Sequence, residues 1–140
     1  MSDDLYQQAL VDLARSADGA GRIEAPDGTA QGDSPLCGDR VRMDVRLDGG
    51  RILALAHDVK GCLLCRAAAA AIGRHAAGLD AAQLAAVRSE VAALLAGTAA
   101  AQPWPELRNF LPVRAHRNRH GCVLLPFDTL VAALDSAKRA

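Results

Sequence analysis

The stretch RVRMDVRLDGGRILALAHDVKGC, residues 40–62, decides the fold. Val41, Met43, Val45 and Leu47 alternate with Arg42, Asp44, Arg46 and Asp48. A period of two gives a strand with one apolar and one wet face. Asp48-Gly49-Gly50 supplies turn residues that accept positive φ, and residues 52–59 resume as a second strand. The pattern predicts an antiparallel hairpin that ends at Gly61.

Working outward, the Ala- and Leu-rich run from Cys62 to Ala77 predicts a helix with Gly78 at its C′ position. Asp80, with Gln83 three residues later, forms a capping box for the next helix. Leu84, Val87, Val91, Leu94 and Leu95 give that helix its buried face, and Gly97 stops it. Residues 98–121 are aperiodic and hold Pro103, Pro105, Pro112 and the single Trp. A last helix is expected over roughly 123–138, with Pro126 in or near its first turn. On the other side of the hairpin, Leu5, Leu10, Val11 and Leu13 form a partial stripe over residues 4–16. From Ser16 to Pro35 the chain is rich in Gly, Asp, Ala and Pro without periodicity, so a flexible loop is expected at about 17–36. There is no internal repeat, and residues 1–140 read as one domain.

Composition excludes several classes. Sixteen Lys and Arg balance sixteen Asp and Glu, so no net field attracts nucleic acid or an anionic membrane surface. No run approaches the roughly 20 apolar residues that span a bilayer. Asp3 and Asp4, with no apolar stretch behind them, do not resemble an export signal. A cytoplasmic location is therefore expected, where thiols stay reduced. Four cysteines in that compartment, Cys37, Cys62, Cys65 and Cys122, point to metal or sulfur chemistry more than to disulfides.

Their positions sharpen this. Cys37 precedes the first strand of the hairpin, Cys62 follows Gly61 at a strand-to-helix junction, and Cys122 follows Gly121 before the last helix. Helix N-termini favour negative charge, and the thiolate is the form that binds metal and attacks sulfur. Asp39, two residues beyond Cys37, can add an oxygen ligand from the same side of an extended segment. A lone cysteine is more often a core filler than a ligand, so the case rests on the set.

The set Pro35-Leu36-Cys37-Gly38-Asp39, a hairpin, Lys60-Gly61-Cys62, and Cys122 leading into Leu124-Leu125-Pro126 resembles the IscU/SufU/NifU-like family of iron–sulfur cluster assembly scaffolds. The long spacer between Cys62 and Cys122 is similar to the SufU-like branch. The resemblance implies an α+β fold of the SufE/NifU-like type, a small antiparallel sheet of about three strands packed against several α-helices. It implies metal ligands at Cys37, Asp39, Cys62 and Cys122, holding Zn²⁺ or a transient [2Fe–2S] cluster. Cys37 and Cys122 are its candidate persulfide acceptors. It further implies a PLP-dependent cysteine desulfurase (SufS/IscS-like) as sulfur donor and apo iron–sulfur proteins as recipients, without nucleic acid or membrane. Such a chain is a scaffold more than an enzyme, at most a zinc-dependent sulfurtransferase acting with the desulfurase. Three sulfurs and one oxygen hold metal less permanently than four sulfurs, which suits cargo that is passed on.

The chain departs from the family pattern at several places. Val59 replaces the first glycine of G-x-G-C, Gly121 stands where IscU members carry histidine, and the Leu-Pro-Pro-Val-Lys chaperone tag is absent. Cys65 occupies a position where the family usually has serine, and it makes a C-x-x-C with Cys62. It reads as a helix-packing thiol, as a spare ligand or persulfide carrier, or as half of a redox pair. His57 and His75 read as structural or solvated, whereas His120, near Cys122, is a spare ligand candidate. Between Glu106 and Asp128 there is no acid, while Arg108, Arg114, Arg117 and Arg119 cluster with His116 and His120. That segment is either a hydrated face or a docking surface for an acidic patch on a sulfur-donating enzyme. Two rival functions remain: a module with a structural four-cysteine zinc site, and a thiol–disulfide oxidoreductase using Cys62 and Cys65.

Overall fold

A computed structural model describes residues 2–34, 38–98 and 103–139, with side chains between Gln7 and Ala137 in those segments. The order is α1 (Ser2–Ser16), β1 (Gly28–Ser34), β2 (Asp39–Asp48), β3 (Arg51–Lys60), α2 (Leu63–His75), α3 (Ala81–Ala96), two 3-10 segments (Pro105–Ala115 and Arg117–Arg119) and α4 (His120–Arg139). The strands form one antiparallel sheet in the order β1-β2-β3, giving the expected α+β architecture.

The hairpin follows from the alternation. Gly49 and Gly50 have φ of 59° and 83°, the pair of positive values that a two-residue turn matching strand twist demands. Val41, Met43 and Val45 are fully buried and pair across β3 with Val59, His57 and Leu55. One bulge interrupts the ladder beside the turn, where Ile52 and Ala54 face Leu47 and Arg46 and leave Leu53 as the extra, exposed residue.

Within the segment expected to be a loop, residues 28–34 form β1. The pattern did not announce a strand because its inward positions are Gly28, Ala30 and Gly32, opposite Val45, Met43 and Val41. These positions are small because α4 lies directly against them. A Cβ on Gly28 would collide with the Ala133 carbonyl, and one on Gly32 with the Thr129 hydroxyl. Ser136 Oγ completes the seam, accepting from Thr29 N–H and donating to Thr29 O, both at 3.1 Å.

The preceding residues are tied to the sheet. Asp44, 1% exposed, accepts from Thr29 Oγ1 (2.7 Å), Arg22 Nε (3.0 Å), Ile23 N–H (3.2 Å) and Arg42 Nε (3.4 Å). Burial pushes this carboxyl up, but the four donors outweigh it and hold it below its ordinary range. Residues 19–21 run along the outer edge of β3, through Gly21 N–H to His57 O and His57 N–H to Gly19 O, each 2.9 Å.

α2 packs against α1, α4 and β3. Ala67 to Ala71 and Ile72 are all fully buried, and the alanine run lets three neighbours approach one helix. α2 closes on Ala76 rather than at Gly78. Gly78 instead donates to Ile52 O, while Ile52 donates to Leu79 O, which covers the start of β3. The capping box at Asp80 and Gln83 forms as expected, at 2.8 and 2.9 Å. The aperiodic region is largely 3-10 helix. α4 begins at His120, three residues earlier than expected, so Pro126 lies inside the helix beyond its first turn. Proline brings no N–H to the carbonyl of residue 122, four positions back.

His57 is 5% exposed on the helix-facing side of the sheet. Its Nε2 lies 2.7 Å from Asp18 O, while Nδ1 is buried without a partner among the described residues. Burial holds its pKa below the ordinary histidine value, against the raising influence of Asp18 O and the nearby Asp58 and Asp18 carboxylates. The unfolded chain thus binds a proton more readily than the folded one, so stability is full above about pH 6.5 and is lost as pH falls below it. Melting temperature is expected to drop between neutral pH and pH about 5, above the carboxylate range. In His57→Gln that slope should flatten; an unchanged slope in thermal melts contradicts the assignment.

Candidate metal centre

The open end of the hairpin builds the site. Asp39, the first residue of β2, has the same parity as Val41 and Met43, so its carboxylate faces the helical layer. One step beyond the Arg40–Lys60 pair, the chain leaves β3 through Gly61 and enters α2 with Cys62 as its N-cap. Asp39 accepts from Cys62 N–H at 2.9 Å through Oδ1 and from Cys62 Sγ at 3.3 Å through Oδ2. Gly61 is required for this approach, since a Cβ there would stand 2.6 Å from Asp39 Oδ1 and 2.7 Å from its Cγ. The intact half of the family's glycine–cysteine motif thus has a steric reason.

Cys122 arrives on a third element, in the first turn of α4, and is 1% exposed. One ligand atom from each of Asp39, Cys62 and Cys122 lies within 4.8 Å of the others, 83 residues apart at the extremes (122 − 39). Asp39 is 2% exposed and Cys62 half-buried, so the group opens toward solvent on the Cys62 side. Two sulfurs at helix N-termini and one carboxylate at a strand start form a soft donor set that suits Zn²⁺ or iron. Cys37, the fourth candidate, lies outside the described residues, as do Pro35 and Leu36.

The spare candidates are placed elsewhere. Cys65 is fully buried on α2, and no metal-holding group among the described residues includes it. His120 turns Nε2 toward Val113 O (2.9 Å) and Arg114 O (3.3 Å), which commits that nitrogen as a donor. His75 is held by Glu106 at 2.7 Å and stacks on Trp104 at 5.2 Å, a structural role like that of His57. The sequence reading did not single out Arg40 and Lys60. These cations face each other across the ladder beside the site and, with Asp33, Ser34, Gly38 and Asp39, line a recess of about 330 Å³. Their signal was adjacency: each is one or two residues from a donor.

A hairpin carboxylate and two helix-start thiols drawn to one point define an α+β domain with a group of side chains that could hold a metal ion. The family model for the NifU-like N terminal domain matches residues 5–106, and the chain belongs to that family. Cys122 lies beyond the matched residues. Among solved structures, the chain is similar to a nitrogen-fixing NifU-like protein (N-terminal) from Brucella abortus, at 27% identity and TM-score 0.87, covering 99% of this chain and 98% of that one. It shares its fold with a protein from the thermophile Fervidobacterium islandicum AW-1 (FiSufU), described as a candidate iron–sulfur cluster assembly scaffold for the SUF system. That match has 23% identity and TM-score 0.81, over 96% and 99% of the two chains. No curated protein sequence matches this chain.

Gly61→Ala tests the construction of the site without removing a donor. The added methyl displaces the Asp39 carboxylate, and metal affinity should fall about 10-fold or more in chelator competition. Circular dichroism should retain the native helix content, and unchanged affinity would mean that Asp39 is not a ligand.

Proposed function

We propose that this protein is an iron–sulfur cluster assembly scaffold of the SufU-like kind, a role that family membership supports. It accepts persulfide sulfur from a PLP-dependent cysteine desulfurase. It holds Zn²⁺ or a transient [2Fe–2S] cluster through Cys37, Asp39, Cys62 and Cys122, and serves apo iron–sulfur proteins. The observation that carries this reading is the convergence of Asp39, Cys62 and Cys122 within 4.8 Å. The donors come from β2, from the N-cap of α2 and from the first turn of α4, an arrangement that core packing alone does not call for. No helix among the described residues is long and apolar enough to cross a membrane.

The sulfur step balances without an outside oxidant. A cysteine thiolate of the scaffold attacks the outer sulfur of the donor's persulfide. One S–S bond breaks as another forms, and the donor cysteine leaves as thiolate. Cys37 and Cys122 are the proposed acceptors. The half-buried Cys62, bonded to Asp39, anchors the metal.

The grouping supports a carboxylate ligand over a four-cysteine zinc site, because Asp39 stands inside the group of Cys62 and Cys122 and Cys65 does not. Metal and acid-labile sulfide analysis of anaerobically purified protein, with and without desulfurase and cysteine, tests the reading. Bound metal and desulfurase-dependent sulfur uptake are expected, and the absence of both overturns it. Cys62→Ser and Cys122→Ser should each cost about 10-fold or more in metal affinity, and Asp39→Ala should alter metal retention. Cys65→Ser should leave metal content and sulfur uptake unchanged; loss of both in that variant would favour the four-cysteine or C-x-x-C alternatives.

A further inference from the structure

The strap formed by residues 19–21 covers the outer edge of β3 at His57 and stops short of Val59. His57 turns its N–H and C=O outward to Gly19 O and Gly21 N–H. Val59, two residues on, presents its own N–H and C=O along the same edge, and nothing among the described residues bonds them. The strap ends there because Arg22 turns away onto the outer face of the sheet, where its Nε bonds Asp44 at 3.0 Å. A half-buried strand edge is thus left with a donor and an acceptor unused.

A recess of about 380 Å³ occupies this gap between the strap, β3, the end of α1 and Arg66 of α2. Ala14, Ala17 and Ala20 give it a floor of small apolar side chains. Its polar wall is cationic. Arg66 is exposed and has neither an ion pair nor a side-chain hydrogen bond among the described residues. Arg22 spends only Nε on Asp44 and keeps its two Nη groups for the recess. His57 also borders the space, with Nε2 committed to Asp18 O. The bordering acid, Asp58, has the opposite parity to Val59 and stands across the ladder from Arg42, so its carboxylate belongs to the outer face of the sheet.

We infer that this recess binds the phosphate group of a small organic phosphate, with Arg22, Arg66 and the Val59 N–H as its donors. Guanidinium forks match phosphate oxygens and keep their charge at any physiological pH. Donors that come from the strap, from α2 and from β3 surround a tetrahedral headgroup more completely than a planar carboxylate. The alanine floor offers apolar contact to an organic body beside that headgroup. Arg66 lies one helical turn beyond Cys62, and its N–H bonds Cys62 O at 3.1 Å, so a ligand here also braces the start of α2. The inference stands on the strap, β3 and α2 and does not depend on the scaffold reading.

Amide and arginine side-chain NMR of the full chain, titrated with inorganic phosphate, glycerol 3-phosphate and acetate at constant ionic strength, tests it. Saturable shifts are expected at the Val59 and Gly21 N–H groups and at Arg66 Nε–H, with glycerol 3-phosphate bound at least as tightly as inorganic phosphate. Acetate should bind more weakly. Arg66→Gln should weaken phosphate binding about 10-fold, the loss of one charge-assisted contact. Ala20→Phe, which fills the recess without changing charge, should weaken it as well. Arg108→Gln, which removes an exposed arginine outside the recess, should leave binding unchanged. Shifts that stay linear in phosphate, shifts centred on other arginines, acetate bound as tightly as phosphate, or an Arg66→Gln protein that binds like the unsubstituted one each overturn the inference. Metal content should be the same in all three variants, which keeps this outcome separate from that of the metal centre.

Discussion

The register of the β2–β3 hairpin is the constraint on which the rest depends. With Asp48 opposite Arg51 across a two-glycine turn, the ladder runs through one bulge to Arg40 opposite Lys60. The next step places the Asp39 carboxylate over Gly61 and against the N–H and thiol of Cys62. A one-residue slip would turn Val41, Met43 and Val45 to solvent and carry Asp39 to the outer face. Burial of those three side chains therefore specifies the fold and the first two donors together. The cost of misplacing the donors is the cost of exposing the core.

Delivery of the third donor uses a different device. Cys122 sits on α4, which must cross the sheet close enough to reach Asp39. Glycine at positions 28 and 32 lets β1 and α4 approach nearly backbone to backbone, where Ser136 and Thr29 exchange hydrogen bonds. Larger side chains on β1 would lift α4 from the sheet and carry the Cys122 thiol away from Asp39 and Cys62. A strand that looks unremarkable in composition thus sets the depth of the site.

What the sequence revealed and what it hid follow the same division. The hairpin was legible because its two faces differ in polarity, and the α3 cap was legible because Asp80 and Gln83 bond locally. The grouping of Asp39, Cys62 and Cys122 was legible only as residue types beside glycines, set in the family's order. β1 was hidden because its inward positions had to be small for α4, which erased the apolar alternation that marks a strand. The true start of α4 was hidden by Pro126, which reads as a first-turn residue yet lies inside the helix. The core placement of Cys65 could not be read from spacing, since i and i+3 on a helix share a face whether or not both thiols bind a metal.

The donors are also held with unequal firmness. Asp39 and Cys62 are anchored by a ladder of strand hydrogen bonds and by each other, on a hairpin backed by fully buried Val41 and Met43. Cys122 is reached through 3-10 segments, whose hydrogen bonds are poorer than those of an α-helix, and it enters α4 in the turn that Pro126 leaves without one N–H. A donor group built from one rigid half and one adjustable half can shift one donor without disturbing the core.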